Sequence, residues 1–458
     1  MFHKTKKIHF IGIGGIGMSG MAELLNELGF SITGSDMENS DRINHLINKG
    51  IQIKIGHNKS NVNNCDVIVY SSAIKNDNVE IKTGIDKKIP TIRRAEMLSE
   101  LLKIKNISIA IAGTHGKTTT CSMLGCILSE SNLDPTLVIG GIVNKFKSNT
   151  ISGKGDIIVV EADEFDRTFL TLKPTLSLIT NLDLEHLDCY ENLTDLKQSF
   201  IQFANAIPFY GKVAICIDHE NTYSILPKIK RPFITFGTDE KAEVRATNLI
   251  FNNNHSSFDL LVNNKILEEI NIQVPGKHNI TNALGAISLA LELEIPINKI
   301  KAGLSSYNGV RRRFEIKFVL KNDIMIIDDY AHHPSEVSST LNAAKSGWNK
   351  RIIAIFQPHL FTRTRDFHRE FAKAFLNSDI LIVTDIYPAR ELPIPGVTAE
   401  LITKETIKIG HKNVEYIPNK KDVPNKLLKI AQPKDIIMTM GAGDIWRQCD
   451  KIYEVLNN

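Results

Sequence analysis

The stretch Gly113-Thr114-His115-Gly116-Lys117-Thr118-Thr119-Thr120 sets glycines, a lysine and a run of hydroxyls side by side, the residue types that grip a polyphosphate. Glycines let main-chain N–H groups approach phosphate oxygens, the lysine supplies a point charge, and the next hydroxyl, Thr118, can ligate Mg²⁺. The common phosphate loop has a further glycine five positions before Gly116, where this chain has Ile111, so the loop is a shorter form. Downstream, Glu161 ends the apolar run Ile157-Ile-Val-Val160 as a carboxylate able to hold Mg²⁺ beside that loop. His186 lies among acids in Asp183-Leu-Glu-His186-Leu-Asp188. A lone histidine is more often structural, Mg²⁺ prefers oxygen, and no ligand cluster at zinc spacing accompanies it.

These groups need rigid elements to hold them. Ile107-Ser-Ile-Ala-Ile-Ala112 reads as a buried strand entering the loop, and Met123, Leu124, Ile127 and Leu128 recur behind it at helical spacing. A helix that opens at the loop presents its unbonded N–H groups and positive dipole end to an anion.

A second constellation opens the chain. The strand Lys7-Ile-His-Phe-Ile11 runs into Gly12-Ile-Gly14-Gly15-Ile16-Gly17, and Met18, Met21, Leu25 and Leu28 follow at helical spacing. With Asp36 ending the next strand, Ser31–Asp36, this is a Gly-x-Gly-x-x-Gly opening of a Rossmann-like unit. Alone it fits NAD, the diphosphate of a nucleotide sugar, or tight strand–helix packing. Another apolar strand, within 65–74, ends in the hydroxyls of Ser71 and Ser72, placed at the sheet edge for a ligand or as a helix cap.

Further on, His278 and Asn282 stand four apart on one face of a helix that buries Ile280, Leu284, Ile287 and Leu291 on the other. Val310-Arg311-Arg312-Arg313-Phe314 reads as a hinge whose arginines could reach a phosphate, or as a solvated turn. Apolar runs at 324–327, 352–356, 380–383 and 436–440 then alternate with helical segments, which implies a mostly parallel sheet. Their ends are polar: Asp328-Asp329-Tyr330-Ala-His332-His-Pro334, Gln357-Pro-His-Leu-Phe-Thr-Arg363-Thr-Arg365, Asp385–Arg390 and Gly441-Ala-Gly-Asp444. Ligands gather at such ends in open α/β sheets.

At 458 residues the chain is too long for one ordinary core. The expected architecture is α/β with three domains: a Rossmann-like amino-terminal domain at 1–105, a central phosphate-loop domain at 106–309, and a Rossmann-like carboxy-terminal domain with a mostly parallel sheet at 310–458. The net charge of +4 comes with scattered lysines, so no nucleic-acid partner is expected. Six separated cysteines, with no Cys-x-x-Cys pair and no signal peptide, imply reduced thiols in a cytoplasm. No apolar run approaches the ~20 residues of a membrane span, so no membrane partner is expected.

Taken together, the short loop Gly113–Thr120, Gly12-Ile-Gly-Gly-Ile-Gly-Met-Ser-Gly20, Arg93-Arg-Ala-Glu-Met-Leu98, Asn279 with Asn282, Arg311-Arg-Arg-Phe-Glu315 and Asp328–Pro334 resemble the Mur ligases over nearly the whole chain. The resemblance implies ATP-driven amide formation between UDP-N-acetylmuramate and L-alanine in cytoplasmic peptidoglycan synthesis. A ligase that adds a recycled peptide to the same sugar nucleotide is the alternative, with an NAD-dependent oxidoreductase further off. Carried over by residue, Gly113, Thr114, His115, Gly116, Lys117, Thr118, Thr119, Asn279, Asn282, Arg313 and Asp329 would serve ATP. Lys117, His186, Arg313 and Asp329 would be catalytic, and Thr118, Glu161 and His186 would hold two Mg²⁺ ions. Gly14, Gly15, Ile16, Gly17, Asp36, Ser71 and Ser72 would bind the UDP-sugar, and Tyr330, His332 and Arg363 the amino acid. Leu360 departs from the arginine that many members carry after Pro-His.

Overall fold

The computed structural model describes residues 4–183, 189–389 and 391–457, so His186 lies outside the described residues. Among the described residues the strands form three sheets, of five, ten and six strands. The chain divides into two compact units: Met1–Thr247 with Asp259–Ile270 and Thr281–Tyr307, and Asn248–Phe258 with Asn271–Ile280 and Asn308–Asn458. Among the described residues no helix is long and apolar enough to cross a membrane.

The first sheet is wholly parallel, in the order Gln52–Ile55, Ser31–Asp36, Lys7–Ile11, Val67–Tyr70, Thr91–Arg93. Strand order reverses between Lys7–Ile11 and Val67–Tyr70, so the crevice at their carboxyl ends is the topological switch point of a Rossmann-like sheet. The glycine loop leaves one of these strands, and Ser71 and Ser72 leave the other.

In the second sheet, Ile107–Ala112 runs parallel between Leu176–Ile179 and Ile157–Glu161. Ile109, Ala110, Ile111 and Ala112 are wholly buried, as a central parallel strand covered on both faces requires, which is why this strand shows no polar alternation. Its helix, Lys117–Glu130, packs against Ile297–Ser305. Strands Val244–Asn252, His255–Val262 and Lys265–Ile272 extend one edge. Their two-residue connections carry Asn253, Asn263 and Asn264 at φ of 52°, 49° and 62°, the left-handed region that asparagine tolerates in tight hairpin turns.

The third sheet runs Glu315–Val319, Met325–Asp329, Ile436–Met440, Ile352–Phe356, Ile380–Val383, Val414–Tyr416, with only the first strand antiparallel. Both faces are covered, by clusters around Leu341, Phe356 and Phe371 and around Val423, Leu427 and Ile452. The strand ends at Asp329, Gly441, Gln357 and Thr384 therefore share the carboxyl edge of one sheet.

Candidate active site

The phosphate loop is built on its neighbouring strand as much as on its own residues. The Asn181 side chain accepts from the His115 N–H at 2.8 Å and donates to the His115 carbonyl at 3.0 Å, while the Thr180 hydroxyl donates to that carbonyl at 2.6 Å. A Cβ on Gly113 would sit 2.0 Å from that Thr180 hydroxyl, so no larger residue fits. Gly116, at φ 83°, turns the chain into the helix, and a Cβ there would meet the Asn282 side-chain oxygen at 2.3 Å. Asn282 also faces the Thr120 hydroxyl at 3.4 Å, which brings this predicted residue onto the loop.

Lys117 does not point freely outward. Its ammonium donates to the Gly113 carbonyl at 2.6 Å, the Thr114 carbonyl at 3.2 Å and Glu164 Oε2 at 2.8 Å. Burial works against the lysine charge, yet Glu164 and Asp163 hold its pKa above the ordinary value. Burial pushes Glu164 up to about 7 even with Lys117 beside it. Glu164 is fixed in turn, since its carbonyl accepts from the buried Tyr190 hydroxyl at 2.6 Å.

Glu161 ends the adjacent strand in register with Ile111, at the root of the loop, and its Oε1 accepts from the Gly140 N–H at 2.6 Å. Thr118 and Glu161 offer hard oxygen donors, the kind Mg²⁺ takes. Among the described residues no group of three or more His, Cys, Asp or Glu could hold a metal by itself. That donor set fits an ion held by one or two side chains and completed by substrate phosphate oxygens.

The amino-terminal loop is pinned from the second strand. Asp36 Oδ2 accepts from the Gly14 N–H at 2.8 Å, and the Gly12 N–H donates to the Ser35 carbonyl at 2.8 Å. Beneath Ser35 lies a buried carboxylate: Glu80 accepts from the Ser35 hydroxyl at 2.6 Å, the Asn61 amide at 2.6 Å and the Asn58 N–H at 3.1 Å, with His57 at 3.3 Å. Burial opposes its charge, but His9 and these donors bring Glu80 down to about 2. Ser72 lines a pocket with Tyr70, Arg93, Arg94 and Phe165, whereas the Ser71 hydroxyl accepts from the Ala73 N–H at 3.3 Å and so also closes a local turn. Arg94 pairs with Asp163 at 3.3 Å.

In the other unit, the arginines divide their work. Arg312 is structural: it bonds Asp328 at 2.9 Å and the carbonyls of Gly441 and Gly443 at 2.7 and 3.2 Å, and its guanidinium lies 4.8 Å over the Tyr330 ring. Arg313 pairs with Glu336 at 3.3 Å and lies 5.5 Å over the same ring. Asp329 accepts the N–H groups of Phe314 and Ala331 at 2.8 and 2.7 Å, and burial pushes its carboxyl up to about 6 against the pull of Arg313. Burial and the Arg313 charge push His278 down to about 4, so its ring is neutral at pH 7. Asn279 Nδ2 donates to the Pro275 carbonyl at 2.7 Å. The His332 ring stands 5.2 Å from Tyr330 and 5.9 Å from His359, and Arg363 meets His359 at 3.4 Å, so Tyr330, His332 and Arg363 form one cluster. Leu360 adopts φ 73°, a sparsely populated conformation for a branched residue, at the start of the helix that carries Arg363.

Sequence reasoning assigns no individual role to Thr180, Asn181, Glu164, Arg94 or Glu336, although Arg94 lies within the Arg93–Leu98 stretch that carries the resemblance. Thr180 and Asn181 follow an apolar strand directly, as Glu161 does, and that position was the available signal. Nothing local distinguishes Glu336 from any acid in a helix's first turn.

Family models span nearly all of the chain: "Mur ligase family, catalytic domain" over residues 7–106, "Mur ligase middle domain" over 111–290, and "Mur ligase, glutamate ligase domain" over 312–443. The chain is 46% identical over 456 residues to a UDP-N-acetylmuramate–L-alanine ligase of Geotalea uraniireducens (strain Rf4), covering 100% of this chain and 99% of that one. Among solved structures, a UDP-N-acetylmuramate–alanine ligase from Thermotoga maritima superposes with a TM-score of 0.83 at 29% identity, covering 98% of each chain. A murein peptide ligase from Psychrobacter arcticus 273-4 shares the fold, with a TM-score of 0.72 at 24% identity and 99% of each chain covered.

Proposed function

The chain belongs to the Mur ligase family, and from that membership we infer that it joins L-alanine to the lactyl carboxylate of UDP-N-acetylmuramate, converting ATP to ADP and phosphate. The observation that carries this reading is the short phosphate loop, braced by Thr180, Asn181 and Asn282, in a chain similar from end to end to ligases of that specificity. The weak amino-terminal glycine motif is then the seat of a sugar nucleotide and not of NAD.

A carboxylate is a poor electrophile, so the lactyl carboxylate first attacks the γ-phosphorus of ATP and becomes an acyl phosphate. Lys117 and Arg313 neutralise charge on the transferring phosphoryl group, as cations aimed at developing negative charge do in such steps. Gly113, Thr114, His115, Gly116, Thr118 and Thr119 cradle ATP, and Asn279, Asn282 and Asp329 serve the same nucleotide. Thr118 and Glu161 would hold one Mg²⁺ and His186 would help hold a second; bound Mg²⁺ would screen the phosphate charges and polarise the γ-phosphoryl group. Gly14, Gly15, Ile16, Gly17 and Asp36 bind the UDP-sugar with Ser71 and Ser72. Tyr330, His332 and Arg363 receive alanine, with Arg363 pairing its carboxylate. The domains run 1–105, 106–309 and 310–458. Substrates of this kind place the work in the cytoplasm, with no part for nucleic acid or membrane.

Product mass distinguishes this reading from ligation of a recycled peptide. With ATP, Mg²⁺ and UDP-N-acetylmuramate, the expected product is the alanyl adduct. Exclusive use of the tripeptide L-alanyl-γ-D-glutamyl-meso-diaminopimelate, with alanine inert, would overturn it.

A further inference from the structure

Glu336 sits in the first turn of the helix Pro334–Gly347, where any acid is favoured by the helix dipole. Its contacts exceed that role. Oε1 faces Arg313 at 3.3 Å, while Oε2 accepts from the His332 backbone N–H at 3.0 Å and meets His332 Nδ1 at 3.0 Å. The same Nδ1 lies 3.0 Å from the Tyr330 carbonyl. A carboxylate and a carbonyl can only accept, so Nδ1 must carry the proton, and in the neutral ring Nε2 keeps the lone pair.

We propose that Glu336 is a positioning residue that fixes His332 in the Nδ1–H tautomer, making Nε2 the acceptor for the proton lost by the amine of alanine. This rests on the reading that His332 faces alanine. Bound alanine arrives as an ammonium ion and gives one proton to Nε2. The freed lone pair forms the C–N bond, and the C–O bond of the acyl phosphate breaks with its electron pair going to phosphate. The second nitrogen proton leaves on that phosphate as HPO₄²⁻. The imidazolium formed is stabilised through Nδ1–H by Glu336, as an orienting carboxylate stabilises a histidine base elsewhere. Because the opposite oxygen of Glu336 faces Arg313, the ring and the guanidinium are set by one carboxylate.

The test uses the full-length enzyme with selectively ¹⁵N-labelled histidine, the His332 signals being assigned by their loss in His332→Gln. The expected pattern is a protonated Nδ1 and an unprotonated Nε2; the opposite tautomer in the wild type overturns the proposal and needs no folded Glu336 variant. In kinetics, Glu336→Gln offers one acceptor oxygen where two are used, so kcat should fall about 30-fold or more while KM for UDP-N-acetylmuramate stays within about twofold. In the His332→Ala background, Glu336→Gln should cost no more than about threefold, the share that its contact with Arg313 carries, and not the roughly 30-fold seen with His332 present. A full loss of about 30-fold from Glu336→Gln that persists in the absence of His332 would show that Glu336 does not act through His332. A wild-type enzyme inert with alanine would overturn the functional reading itself, whereas an active wild type with the wrong tautomer overturns only this proposal.

Discussion

The Lys117 ammonium stands 2.8 Å from Oε2 of Glu164, and the loop carbonyls of Gly113 and Thr114 take its remaining donors. A triphosphate entering the loop must compete with Glu164 for this charge. Lys117→Ala should cut ligase turnover by about 10³-fold or more, because the cation acts on charge that develops during phosphoryl transfer. Titration calorimetry should show the affinity for UDP-N-acetylmuramate changed by less than about twofold, since the glycine loop that serves it is built by other residues.

Glu164→Gln removes the carboxylate competitor and leaves the shape. KM for ATP should fall by a few fold, because one charge-assisted hydrogen bond no longer has to be exchanged for phosphate. Steady-state kinetics at fixed Mg²⁺ checks this, and an unchanged or raised KM would count against the competition.

Asp36 holds the Gly14 N–H at 2.8 Å and so shapes the amino-terminal loop. Asp36→Ala should weaken UDP-N-acetylmuramate binding by about tenfold, the worth of one charge-assisted hydrogen bond to a positioned loop, with KM for ATP little altered.

Glu80 gives a pH signature to the first sheet. Its folded-state carboxyl is held at about 2, below the ordinary 4.5. A depressed acid stabilises the fold fully above its unfolded pKa and loses that contribution as pH falls through the folded value, so the stabilisation should be present at pH 6 and fade between about 4.5 and 2. Glu80→Gln should cost about 3 kcal/mol near neutrality and progressively less toward pH 3, read from denaturant midpoints of the two proteins side by side.

Glu161→Gln keeps the side chain's size and removes a hard anionic donor. The Mg²⁺ concentration for half-maximal activity should rise about tenfold or more, and chelation should abolish turnover reversibly.

Much of this was legible because the motifs are local. The phosphate loop, its strand and its helix are contiguous, and the glycine loop with Asp36 repeats a known spacing, so hydrophobic period and glycine placement located them. The edge strands within 244–272 were legible in principle, through Asn253-Asn254 and Asn263-Asn264 between alternating apolar residues, but were passed over. What could not be read was partnership across the chain. Glu164 reaches Lys117 from 47 positions away, Asn181 reaches His115 from 66, and Glu336 reaches Arg313 from 23. No periodicity encodes such pairings; they arise where strand ends are brought to one sheet edge. The three arginines at 311–313 look equivalent in sequence, yet the turn, with Arg312 and Phe314 at φ 62° and 46°, sends Arg312 to the glycine carbonyls and Arg313 to Glu336.

Phosphate release from ATP, followed with UDP-N-acetylmuramate and L-alanine each omitted in turn, tests the central claim most directly. The expected result is one phosphate per alanyl adduct formed, with release falling to background when either substrate is withheld. Release that continues without the sugar nucleotide would contradict ligation and leave the loop at Gly113 serving some other use of ATP.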